Sequence, residues 1–91
     1  MFNQQIYDIE IKTFEEITEE LIKKSYEMYE LSAKTNDIVE KCILVNKANK
    51  YMELNNYIKN QEIEYLNITK ESLEKENTEL RKTVENNEQN G

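Results

Sequence analysis

Ninety-one residues, 37% apolar and 34% charged, suffice for one small domain with a thin core, the kind that often needs a partner chain for stability. Proline and histidine are absent, and Cys42 and Gly91 are the only residues of their types, so internal disulfides and zinc sites built from Cys and His are excluded. The net charge of −7 counts against general binding to phosphate backbones, which requires clustered Lys and Arg.

A chain this charged and this poor in breakers reads as long solvated helices. The expected fold class is all-α: a helical hairpin followed by a C-terminal coiled-coil, leucine-zipper-like helix, assembled as a dimeric bundle. Four segments are expected: an N-terminal arm over 1–12, an antiparallel hairpin over 13–60, a coiled-coil segment over 61–85 and a flexible tail over 86–91. No apolar run approaches the ~20 residues of a membrane span. The first residues lack the basic and apolar regions of a signal peptide, so a cytoplasmic location without membrane contact is expected. The weight of Asn, Lys, Ile, Glu and Tyr suits the AT-rich coding of a low-GC bacterium or its phages.

In chain order, Tyr7, Ile9, Ile11 and Thr13 alternate with Asp8, Glu10 and Lys12, the period-2 mark of a half-buried strand. A helical reading through Ile6, Ile9 and Thr13 is nearly as good. Thr13-Phe14-Glu15-Glu16 then has the form of a capping box and predicts a first helix over about 14–33. Glu15, Glu16, Glu19 and Glu20 fall at the positive end of that helix dipole. Phe14, Ile17, Leu21, Met28 and Leu31 form its apolar stripe, widened by Ile22, Tyr26 and Tyr29.

Residues 33–37 read as a turn, and Asp37 with Glu40 starts a second helix that a short connection sends back antiparallel. Between 46 and 62 the heptad weakens, because Asn49, Asn56 and Lys59 take would-be a and d sites while Leu44, Ala48, Tyr51 and Ile58 trace a stripe displaced by one residue. A stutter or break at Asn55-Asn56 or Asn60 is expected.

Beyond it, Ile63, Lys70, Asn77 and Val84 occupy a, and Leu66, Leu73 and Leu80 occupy d. Leucine at d with one Asn at a is the choice of a two-stranded parallel coil. Ile63, Leu66, Leu73, Asn77, Leu80 and Val84 are therefore the expected interface of a parallel homodimer. The segment resembles leucine zippers in general but lacks the preceding basic region, where Glu62 and Glu64 stand instead.

Chemistry-bearing motifs are missing. Cys42 falls between Ile38 and Val45 on the continued heptad and reads as a buried, inert thiol with no histidine to activate it. The carboxylates read as solvated helix surface, and Lys47, Lys50 and Lys59 among Tyr51 and Tyr57 give only a weak case for nucleic acid. No catalytic, metal-ligating or cofactor-binding residue and no cofactor is expected. The expected function is a non-enzymatic interaction protein, a self-associating scaffold, adaptor or regulator with a protein partner of unknown identity. The alternative is an acidic inhibitor that fills the basic groove of a nucleic-acid-binding enzyme. Tyr7, Ile9, Ile11, Glu15, Glu16, Glu19 and Glu20 are the expected partner-binding residues, through sheet-edge addition or charge.

Overall fold

The computed structural model describes residues 2–90, with side chains through Asn87. It is all-helical: α1 spans Gln4–Lys34, α2 spans Ile38–Asn90, and no strand occurs among the described residues. The two helices pack antiparallel as a hairpin, and α2 alone sets the 81 Å long axis, as 53 residues at ~1.5 Å each require. The radius of gyration is 22.5 Å, against about 12 Å for a compact domain of this length.

α1 starts at Gln4, nine residues before the capping box at Thr13. Asn3, in extended conformation, is the cap: its Oδ1 accepts the Gln5 and Ile6 amides at 3.0 and 3.2 Å. Thr13 lies inside the helix and donates its hydroxyl to the Ile9 carbonyl at 2.8 Å, an option that makes a mid-helix Thr acceptable. Residues 5–12 are therefore helical, and the alternation from Tyr7 to Thr13 is an accident of spacing: Tyr7 and Ile11 turn inward, while Ile9 is exposed.

Three residues, 35–37, join the helices. Asp37 Oδ1 accepts the Val39 and Glu40 amides at 2.9 and 3.3 Å, which makes it the α2 cap. The Thr35 hydroxyl accepts the Asp37 amide at 3.3 Å and donates to the Glu40 carboxylate at 3.1 Å. Glu40 thus ties the turn down from the first turn of α2. Asp37 is the cap expected, while the Glu40 carboxylate takes the Thr35 hydroxyl where a capping box would take the Asp37 amide.

The contact seam on α1 runs through Tyr7, Ile11, Phe14, Thr18, Leu21, Ser25, Met28 and Ser32, in alternating steps of four and three. On α2 it runs through Val45, Ala48, Met52, Asn55, Glu62, Leu66, Thr69, Leu73 and Glu76. Its middle is made of small side chains: Thr18, Ser25, Ser32 and Ala48 are buried, and Ser25 Oγ donates to the Ala48 carbonyl at 3.0 Å across the pair. A side chain as short as Ser reaches the backbone of the facing helix only when the two backbones lie close. No ion pair joins the helices among the described residues; Lys50–Glu53, at 3.0 Å, lies within α2 and is exposed. Packing, and not charge, holds the hairpin.

α2 passes unbroken through the expected stutter. Asn55 is buried in the seam at 3% exposure, with its Oδ1 lacking a hydrogen-bond partner. The continuous frame pairs the column 45–52–66–73 with 48–55–62–69–76, one residue before the expected a column. That shift turns Asn49, Asn56, Lys70 and Asn77 outward, where polar side chains are at no disadvantage, so no break is required. α2 continues helically through 86–90 of the expected tail, and Gly91 lies outside the described residues.

Enlarging the small layer tests this geometry. Ser25→Leu or Ala48→Leu is expected to force the helices apart at about 1–3 kcal/mol. For a chain of this size that lowers Tm by roughly 4–8 °C per kcal/mol, while Ser25→Ala, which keeps the fit, loses only the hydrogen bond. Thermal melts followed by circular dichroism give the comparison.

Candidate interaction surface

A two-helix hairpin has two flanks, and these two differ in chemistry. Along one flank α1 presents Phe14, Ile17, Leu21, Met28 and Leu31, while α2 presents Leu44, Tyr51, Leu54, Ile58, Tyr65 and Ile68. Contacts place both sets on the same side. The Phe14 and Tyr65 rings lie 6.0 Å apart, Lys24 Nζ sits 5.9 Å from the Tyr51 ring centre, and Met28 shares an open groove with Ile43, Tyr51 and Leu54. Both stripes repeat in steps of three, four and seven, the spacing of a helix face that meets another helix. The set is incompletely covered: Ile17 exposes 41%, Leu31 48%, Leu54 51% and Ile68 59% of its surface.

The opposite flank carries Asp8, Glu15, Ile22 and Tyr29 on α1, with Asn49, Asn56, Ile63, Lys70 and Asn77 on α2, each set in steps of seven. Tyr29 Oη and Asn49 Oδ1, 2.6 Å apart, join the two helices on that side. It is a mostly polar, solvated surface.

The six residues of the expected zipper are divided among three places. Leu66 and Leu73 are half-buried beside Phe2 and Tyr7 at the start of α1. Ile63 and Asn77 lie exposed on the polar flank, and Leu80 and Val84, at 63% and 55% exposure, stand on the stretch of α2 that projects past the end of α1. The open end of the hairpin is closed by aromatic rings instead: Phe2–Tyr7 at 5.6 Å, Tyr7–Tyr65 at 6.1 Å, then Phe14. The Phe2 amide adds a hydrogen bond to Glu76 Oε1 at 3.1 Å.

Of the expected partner-binding residues, Ile9, Glu15, Glu16, Glu19 and Glu20 are exposed, whereas Tyr7 and Ile11 belong to the seam. Because residues 5–12 are hydrogen-bonded as helix, they offer no strand for sheet-edge addition. Cys42 is exposed, a correction to the buried position expected for it: the seam passes through Val45 and Ala48 and leaves the Cys42 column on the outside.

Among the described residues no group of three or more Cys, Asp or Glu is placed to hold a metal ion, and no helix is long and apolar enough to cross a membrane. No protein-family model matches the chain, and comparison with curated proteins and with solved structures gives no match.

The ring cluster gives a direct check on the open end. Tyr65→Ala removes contacts with both Tyr7 and Phe14 and is expected to destabilise by about 1–3 kcal/mol, at about 0.5–1.5 kcal/mol per ring pair. Tyr26→Ala, at an exposed position, is expected to change Tm by less than a third as much in the same melt.

Proposed function

We propose that this chain is a non-enzymatic, self-associating helical interaction protein: a coiled-coil scaffold, adaptor or regulator of the cytoplasm whose working form is a homodimer. The observation that carries the reading is surface area. The hairpin exposes 7604 Å², while a compact monomer of 10.9 kDa would expose about 5,600 Å². The excess of roughly 2,000 Å² per chain is larger than the ~800 Å² that each partner buries in an ordinary stable interface. Ala48 is the only apolar residue that is fully buried among those described. A core that thin does not offset the chain entropy lost in ordering two long helices, whereas association supplies the missing burial.

Charge favours a second reading, the acidic inhibitor of a basic groove. Glu15, Glu16, Glu19 and Glu20 form an exposed acidic row on α1, and such a row steers a chain toward a basic partner. Removing the first twelve residues would also strip Asn3, Tyr7 and Ile11 from the cap and seam, so charge reversal is the cleaner probe.

Sedimentation equilibrium across the micromolar range tests the main reading. At least dimer mass is expected, with a Tm that rises with protein concentration. A monodisperse monomer melting cooperatively at a concentration-independent Tm would overturn it. For the second reading, capture of a nucleic-acid-binding enzyme should be salt-sensitive, competed by nucleic acid and abolished when the four glutamates become Lys. Capture unaffected by that reversal removes it.

A further inference from the structure

We infer that the second copy docks on the apolar flank, around Ile17, Leu31, Tyr51, Leu54 and Ile68, with the two hairpins running in opposite directions. This rests on the self-association proposed above and names its face and direction.

The face follows from the difference between the flanks. A second hairpin laid on the apolar flank covers two stripes at once, one from each helix, and makes a four-helix bundle whose interior gains the half-covered Phe14, Leu21, Met28, Ile58 and Tyr65. The polar flank would bury Asn49, Asn56, Lys70 and Asn77, and the projecting end offers only Leu80 and Val84. Because the apolar flank contains one stripe from each helix, it complements itself under a two-fold rotation, the operation that relates most homodimer subunits.

The direction follows from charge. The turn half of the hairpin, residues 21–53, has six bases and five acids, a net +1. The open half, residues 1–20 with 54–74, has three bases and ten acids, a net −7. Parallel stacking would lay one −7 half on the other. Antiparallel stacking lays each −7 half on a half that is weakly positive, and like-charge contacts of this extent discriminate orientation. A two-fold that reverses the hairpins and keeps this flank inside lays α1 on the partner's α1; with the axis near the Thr18–Asn55 layer, Glu10 of one copy comes within one helical turn of Lys24 of the other. Glu10, Ile17, Lys24 and Leu31 form one heptad column on α1, so both charges stand on the covered face.

Cys42, exposed and the only cysteine, is a native site for a spin label. It lies thirteen residues from Asn55 along α2, or about 20 Å. An antiparallel dimer therefore separates the two labels by about 40 Å, while a parallel one keeps them within about one bundle width, roughly 20 Å. Dipolar distance measurement on the full chain is expected to give the longer value. Leu54→Glu is expected to raise the dimer Kd at least tenfold and Leu80→Glu to leave it within about twofold. Lys24→Glu is expected to weaken the dimer about 2- to 20-fold through its two symmetric pairs, with Glu10→Lys in the same chain restoring it. A dimer with a short label distance, or one broken by Leu80→Glu and not by Leu54→Glu, overturns this face and direction while leaving self-association standing. A monomer under all conditions overturns both.

Discussion

The separation of the two helix axes is set where Ser25 meets Ala48. A serine hydroxyl bonded to the carbonyl of the facing helix tolerates no larger side chain in that layer, and Thr18 and Ser32 continue the same restriction one heptad to either side. Close axes narrow the seam. A narrow seam covers few apolar atoms, so the larger residues of both helices are pushed to its margins, half in contact and half in water. The unsatisfied Asn55 belongs to the same trade, since a buried amide in a tight pair defines register more than it adds stability. The uncovered flank is thus a consequence of how the hairpin closes.

Much of the fold is legible in the residues. Helical class follows from the lack of Pro and internal Gly, and the turn from Asp37 with Glu40, whose cap has the expected donors and acceptor. The α1 stripe from Phe14 to Leu31 was also readable, but its meaning was not. Periodicity shows that a face is apolar without showing how many neighbours share it, and here Phe14, Leu21 and Met28 lean on α2 while Ile17 and Leu31 do not.

The departures from these local signals share one physical root. Cap and heptad signals are local, and each has a competitor only a few residues away. Thr13 and Asn3 both offer an oxygen to a helix start, and the chain uses the earlier one because Tyr7 and Ile11 gain contact with α2 when the helix extends. Leu66 and Leu73 lie in one column of the seam, and Leu80 continues that column onto the projecting end, but a column has two possible companions. The companion with Ile63, Asn77 and Val84 looks better in isolation, while the one with Ala48, Asn55 and Thr69 fits the small side of α1. Sequence alone does not reveal that an intramolecular partner with small residues is available. The polar members of that column, Glu62 and Glu76, hide it further; Glu76 is accounted for by the Phe2 amide.

The turn at residues 35–37 also shapes how the hairpin comes apart. Contacts near it join residues close in the chain, and Ser25–Ala48 encloses only a short loop, whereas Phe2 and Glu76 are 74 residues apart. If the layers between are formed, each further layer adds little closure entropy; if they are not, the outermost contact must close the whole loop by itself. Order therefore spreads outward from the turn and is lost inward from the rings. A gradient of amide protection along α1, highest toward Ser32 and lowest toward Gln4, is the dynamic counterpart of that three-residue connection.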